Sequence, residues 1–259
     1  MSSGRTVLLN TGHKFPTLGY GTWLCSPEEV SEAIFEALKV GYRHLDLAKV
    51  YGNQVGVGDG IKRALAEIPG LKREEIFITS KLWNNSHRPE DVEPTLDDTL
   101  QELGLDYLDL EAIINDSGVV PAVNQVERHP LIPDPPLVDY CKKKGIVITA
   151  YSPFGRNTDG LPLIVDDPVV KGIAKRLSEG QGKPISPAQV LLAWSQLDGH
   201  TVIPKSITPA RILENFQDIE LDEQAIQDLA KLGETPQRRC LPGPECKWQL
   251  SLTISVHRA

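Results

Sequence analysis

Gly41-Tyr42-Arg43-His44-Leu45-Asp46-Leu47-Ala48-Lys49-Val50-Tyr51-Gly52-Asn53 decides the fold. The short apolar run behind Gly41 predicts a strand. Asp46 falls at its C-terminal end, where the chain turns into a loop carrying Tyr51. Further on, Ile76-Phe77-Ile78-Thr79-Ser80 predicts another strand, ending at Lys81. A carboxylate, a phenol and an ammonium at or just beyond the C-terminal ends of successive strands are placed to converge on one α/β active site. A tyrosine, with an ordinary pKa of about 10, is a poor acid at neutral pH. A buried ammonium beside it favours the phenolate and lowers that pKa, while a carboxylate keeps the lysine charged and in place. Such a tyrosine can protonate a carbonyl oxygen as hydride arrives at carbon. Taken alone, these residues favour a surface tyrosine beside a Lys–Asp pair that only stabilises, because perturbed networks are often structural.

Outward from this stretch the pattern alternates. Thr6–Leu9 and Lys14–Leu18 flank Asn10-Thr11-Gly12-His13, a hairpin signal with His13 in the turn. Tyr20-Gly21-Thr22-Trp23 reads as a short strand. Ser26-Pro27-Glu28-Glu29 is a capping box with proline at the first helical position, opening a helix that stops at Gly41. A helix through Gly60 to Leu65 ends before Pro69. Another spans Pro89 to Leu103, with His87 capping or lining its start, and leads into a strand at Asp106–Leu110. Strands follow at Ala122–Glu127, Gly145–Tyr151 and Thr201–Ser206. Helices are predicted around Leu137–Lys144, Val169–Leu177, Ser186–Trp194, Pro209–Phe216 and Glu223–Leu232. Strands alternating with helices argue for a parallel sheet, and this many units argue for a barrel. No GxGxxG follows a strand, which disfavours a Rossmann domain.

Composition narrows the function classes. A length of 259 residues allows one large α/β barrel. The net charge of −8 argues against a nucleic-acid surface. No run approaches the roughly 20 apolar residues of a membrane span, and the N-terminus lacks the apolar core of a signal peptide. Cys25, Cys141, Cys240 and Cys246 show no CxxC spacing, so free thiols in a reducing cytosol are expected, with no metal site. A barrel isomerase or hydrolase would need a metal cluster or a carboxylate pair, and neither is evident.

The ordered set of motifs resembles the aldo-keto reductases, in particular fungal NADPH-dependent aldehyde or glycerol-type reductases. It comprises Gly21-Thr22-Trp23, Asp46 to Asn53, Thr79-Ser80-Lys81-Leu82-Trp83-Asn84, Val123 to Pro130 and Ala150-Tyr151-Ser152-Pro153. Ile203-Pro204-Lys205-Ser206 completes it, with Arg211, Glu214 and Asn215. The resemblance implies a (β/α)8 TIM barrel that reduces aldehydes or ketones with NADPH, as a cytoplasmic monomer acting on small carbonyl compounds. Tyr51 would donate the proton, Lys81 would lower its pKa, and Asp46 would orient Lys81. Trp23 and Trp83 would wall the substrate pocket. The cofactor-facing set would include Thr22, Trp23 and Asp46. Tyr151 would stack on the nicotinamide, Gln125 would bond its carboxamide, and Ser152 would meet the pyrophosphate. Lys205, Ser206 and Arg211 would hold the 2′-phosphate, and Glu214 and Asn215 would read the adenine. Without the family, two cations and a serine around a helix N-terminus fit an anion site or simply a solvated basic helix start, and the position after a terminal barrel strand favours the phosphate site.

Two departures stand out. The family continues the fourth strand into a histidine-containing segment, and that histidine orients the substrate carbonyl. Here Leu110 is followed by Glu111-Ala112-Ile113-Ile114, similar to the end of the family's fifth helix. The chain thus reads as an incomplete barrel, lacking the end of strand 4, helix 4, strand 5 and most of helix 5. None of His13, His44, His87, His129, His200 or His257 matches the missing histidine, and His129 reads as structural. Beyond about residue 237 the sequence is unlike the family's tail, and its Pro and Cys content predicts a poorly ordered end to the single domain. The alternative to a working reductase is an impaired or inactive truncated form that at most binds NADPH or a partner.

Overall fold

The computed structural model describes residues 4–83, 85, 86, 88–109, 120–155, 162–234, 252 and 253. The chain opens with a hairpin, β1 (Thr6–Leu8) against β2 (Lys14–Pro16), as the Asn10–His13 turn predicts. Parallel strands follow: β3 (Tyr20–Gly21), β4 (His44–Asp46), β5 (Phe77–Thr79), β6 (Val123–Glu127), β7 (Val147–Tyr151) and β8 (Thr201–Val202). Two arcs, β3-β4-β5 and β8-β7-β6, meet where Leu18 bridges Val202 in parallel. Val202 N–H donates to the Thr17 carbonyl at 2.9 Å, and Gly21 N–H to the Pro204 carbonyl at 3.0 Å.

Helices cover the outside of the sheet. They are α1 (Pro27–Val40), α2 (Gln54–Glu67), α3 (Pro89–Leu103), α4 (Pro135–Lys144), α5 (Pro168–Gln181), α6 (Pro187–Ser195), α7 (Pro209–Phe216) and α8 (Glu223–Leu232). Ser26 caps α1 reciprocally with Glu29, and Ser186 caps α6 with Gln189, as expected for capping boxes. The main core packs α1 and α2 against the first arc through Ile34, Leu38, Leu45, Ile61 and Ile78. A second cluster joins α5, α6 and α8 through Val170, Val190, Leu191, Ala225 and Leu229. Helices on the faces of parallel strands leave the strands' C-terminal ends as the open rim.

One expectation needs correction. The strand expected at Asp106–Leu110 forms no ladder over residues 106–109, and Leu110 lies outside the described residues. Asp109 instead clasps the edge of β5. Its N–H donates to the Ile78 carbonyl, and its carboxylate accepts the Ile78 N–H, both at 2.9 Å. A side-chain oxygen here takes the place of a backbone acceptor, which ends regular pairing. Near the C-terminus, Leu252–Thr253 forms β9, antiparallel to β6. The rest of that tail lies outside the described residues, as do Asn84, His87 and Glu111 to Ile114.

Candidate active site

Asp46 ends β4 at the rim, and the next turn is a 3-10 turn, Lys49–Tyr51. Gly52 follows at φ 67°, a left-handed conformation that glycine adopts without steric cost, and so returns the chain into α2. Asn53 fixes this corner. Its amide donates to the carbonyls of Thr22 (2.9 Å) and Cys25 (3.2 Å), tying the loops after β3 and β4 together. Thr22, fully buried, donates its hydroxyl to the Asp46 carbonyl at 2.9 Å.

Lys81 extends from the loop after β5 into this corner. Its ammonium meets three acceptors: Asp46 Oδ1 at 2.5 Å, the Leu47 carbonyl at 2.8 Å and the Tyr51 hydroxyl at 3.3 Å. An ammonium has three hydrogens, so every donor is used. Burial pushes Lys81 toward the neutral amine, but Asp46 and Tyr51 together outweigh it, and its pKa lies above the ordinary lysine value. Because Lys81 donates to the Tyr51 oxygen, the phenol's own hydrogen points elsewhere. The Tyr51 pKa lies above that of an ordinary tyrosine, because burial outweighs the pull of Lys81. This corrects the expected net lowering. The lysine acts with the expected sign, but desolvation is the larger effect.

Asp46 is held at its second oxygen too. Gln125, on β6, donates its amide to Asp46 Oδ2 at 2.7 Å, and Thr79 donates its hydroxyl to the same oxygen at 3.2 Å. The structure thus spends the Gln125 amide on Asp46, where the resemblance implied a carboxamide contact. Thr79 escaped the sequence reading. Its position two residues before Lys81 puts it on the same strand face, and that alternation was the available signal. Thr79 also bonds His44 Nε2 at 3.2 Å, which extends the network inward to a fully buried imidazole.

The remaining predicted residues lie in the loops after the strands and on α7. Trp23 is 39% exposed, and its ring centroid lies 6.4 Å from that of Tyr51, tilted by 35°. Trp83 is half-buried beyond Lys81. Tyr151 ends β7, half-buried, and Ser152 turns the chain at φ 49°. Lys205 donates its ammonium to the Leu24 carbonyl at 2.9 Å, and Ser206 Oγ accepts the Thr208 N–H at 3.1 Å. Tyr20, unassigned from sequence, anchors this loop from the core by a short bond from its hydroxyl to the Ser206 carbonyl. Arg211 is exposed on the first turn of α7, and Thr208 gives that helix no side-chain cap. Glu214 borders a surface cavity of about 330 Å³ shared with Ser186, Gln189 and Leu213, and Asn215 is buried beside it. His129 pairs with Glu127 at 3.0 Å in the interior, in keeping with a structural role. Cys25 and Cys141 are free, and no group of three metal-ligating side chains occurs among the described residues. No helix among them is long and apolar enough to cross a membrane.

This rim, with a lysine joining a carboxylate to a phenol, is that of an oxidoreductase barrel, and comparison with known proteins agrees. Residues 17–113 and 110–234 match the Aldo/keto reductase family. A D/L-glyceraldehyde reductase from Hypocrea jecorina is 56% identical over 314 aligned positions, covering 97% of this chain and 95% of the relative. Aldo-keto reductase family 1 member A1 from Xenopus tropicalis is 36% identical, covering 87% of this chain and 88% of the relative. Among solved structures, an aldo/keto reductase from Brucella melitensis superposes with a TM-score of 0.78 at 34% identity, covering 90% of this chain and 99% of that one. A Bombyx mori aldo-keto reductase in complex with NADP gives 0.81 at 28% identity, with 95% and 97% covered. The chain belongs to the aldo/keto reductase family, with its (β/α)8 type of α/β fold. It is an NADP-dependent oxidoreductase that reduces the carbonyl groups of aldehydes or ketones to alcohols.

Proposed function

We propose that Tyr51 is the proton donor of this reduction, and that Lys81, Asp46 and Gln125 form the chain that holds it. The observation that carries this reading is the Asp46–Lys81–Tyr51 contact sequence, with Lys81 donating to the phenol oxygen. That direction leaves the phenolic hydrogen free for a carbonyl oxygen. Burial holds the phenol above its ordinary pKa, and the Lys81 ammonium pulls against that rise, in the direction that favours proton release. Lys81 keeps the departing charge tolerable by standing 3.3 Å from the oxygen that acquires it. Trp23 and Trp83 flank the substrate.

The residues present fit NADPH, which supplies the hydride. Lys205, Ser206 and Arg211 stand around the start of α7, whose first-turn amides carry no side-chain cap and favour an anion. They hold the 2′-phosphate once Lys205 leaves the Leu24 carbonyl. Glu214 and Asn215 border the adenine, Ser152 the pyrophosphate and Tyr151 the nicotinamide ring, and Thr22 and Trp23 complete the wall. For the substrate, the 56% identical relative supports short hydroxyaldehydes such as glyceraldehyde.

The same reading includes a barrel shortened after Leu110. The family match divides at residues 110–113, and the alignment with the fungal relative spans 314 positions against 259 residues here, both supporting a missing segment. The expected activity is therefore carried by the tyrosine–lysine–aspartate set. Replacing Tyr51 by Phe tests this. NADPH oxidation with glyceraldehyde should fall at least about 100-fold in kcat/KM while NADPH still binds. Unchanged turnover would remove Tyr51 from the mechanism.

A further inference from the structure

The described sheet has two lips flanking residues 110–119, and they are closed differently. At the β5 lip the neighbouring chain does the work. Asp109 exchanges bonds with Ile78 through its N–H and its carboxylate, and Arg73 pins the segment by donating to the Tyr107 carbonyl at 2.9 Å. At the other lip the chain re-enters through Val120 and Pro121, whose carbonyls accept the Asn10 amide at 3.4 and 3.0 Å. It then runs straight into β6. β6 pairs with β7 on one side, and its other side would be a bare edge of unpaired backbone groups. Such edges recruit other chains.

The direction of the exposed groups follows from one bond. The Ala122 carbonyl accepts the Val147 N–H, so it points toward β7. Across the planar trans peptide the Val123 N–H points the opposite way, to the outer edge. The Val123 side chain is locked inward with Leu9, Phe15 and Ala122, so the strand cannot rotate to hide that amide. Opposite Val123 lies Thr253, and opposite Asn124 lies Leu252, in antiparallel register. Every other described neighbour within the barrel wall is parallel. β9 is therefore not another turn of the barrel but a strand brought from the far end of the chain.

We propose that the outer edge of β6 is a strand-docking site whose occupant is this chain's own C-terminal segment, and that β9 keeps the edge from pairing with a second copy. The inference does not depend on the catalytic assignment. Amide hydrogen exchange on the full chain tests it, with Thr253→Pro as the variant, because proline cannot donate to a ladder. In the unsubstituted chain, Val123 should be protected to the same degree at all protein concentrations. In Thr253→Pro its exchange should quicken at least tenfold while β4 and β7 amides are unchanged, and light scattering should show concentration-dependent dimers. Equal protection of Val123 in both proteins, or a variant that stays monomeric, overturns the proposal. Should the variant unfold, the unsubstituted chain decides alone. Fast exchange at Val123, or protection that grows with concentration, would mean the tail is not the occupant.

Discussion

At the scale of single residues, the site is a set of side chains each held from more than one direction. Asp46 receives Lys81 on one oxygen, and Gln125 and Thr79 on the other. Removing Lys81 leaves this buried carboxylate without its counter-charge. Lys81→Met is expected to cost about 3 kcal/mol of stability as well as activity, read by denaturant unfolding beside turnover. A volume-matched double variant, Asp46→Leu with Lys81→Met, should recover part of that stability and none of the turnover. His44 carries a different consequence. Burial lowers its pKa to about 4, well below the ordinary histidine, so the folded state prefers the neutral ring. The associated stability is fully present above pH 6.5 and is lost as the pH falls from there to about 4, a loss of about 3 kcal/mol. A His44→Gln variant should therefore show a flatter melting temperature across that window than the unsubstituted chain. Parallel curves would place the acid sensitivity elsewhere.

At the scale of elements, α2 is the piece most tightly constrained by its neighbours. A Cβ on Gly56 would lie 2.0 Å from the Pro27 carbonyl oxygen, and one on Gly58 would lie 2.4 Å from that of Leu103. The helix is thus clamped at backbone distance between α1 and the end of α3, and this sets where Gly52 and Tyr51 emerge. Gly58→Ala should destabilise by about 1–3 kcal/mol despite alanine's better helix propensity. Gly172, in α5, meets nothing within 4 Å of its missing Cβ. Gly172→Ala should stabilise by up to about 1 kcal/mol. Thermal melts of the two variants should move in opposite directions. The helices with strong local punctuation were legible in the sequence. Pro89–Leu103, Pro209–Phe216 and Glu223–Leu232 have the bounds that their prolines, caps and periodicity indicate. The segment at Asp106–Asp109 was not, because apolar alternation cannot reveal that an aspartate side chain takes over the ladder bond at Ile78.

At the scale of the molecule, the strand ends of both arcs contribute to one rim, and ligand binding there should stabilise the whole chain. NADPH, binding only the folded state, should raise the melting temperature, by about 2.7 kcal/mol of added stability at 100 times its Kd. NADH, lacking the 2′-phosphate proposed to be held by Lys205, Ser206 and Arg211, should raise it far less. Equal shifts from both would remove that site from the account.

The sequence by itself determined the alternation of strands and helices, the family, and the presence of Asp46, Tyr51 and Lys81 at or just beyond strand ends. These follow from local periodicity, caps and motif order, which need no knowledge of what packs where. Tertiary structure alone decided how those groups are partnered. Gln125 lies far along the chain from Asp46, yet parallel strands around one barrel bring its amide to the carboxylate. The net direction of the Tyr51 pKa was likewise decided by burial, a property of the packed rim rather than of the motif. The strand at Leu252–Thr253 became visible only in the fold, because an edge needs a partner whatever its place in the sequence.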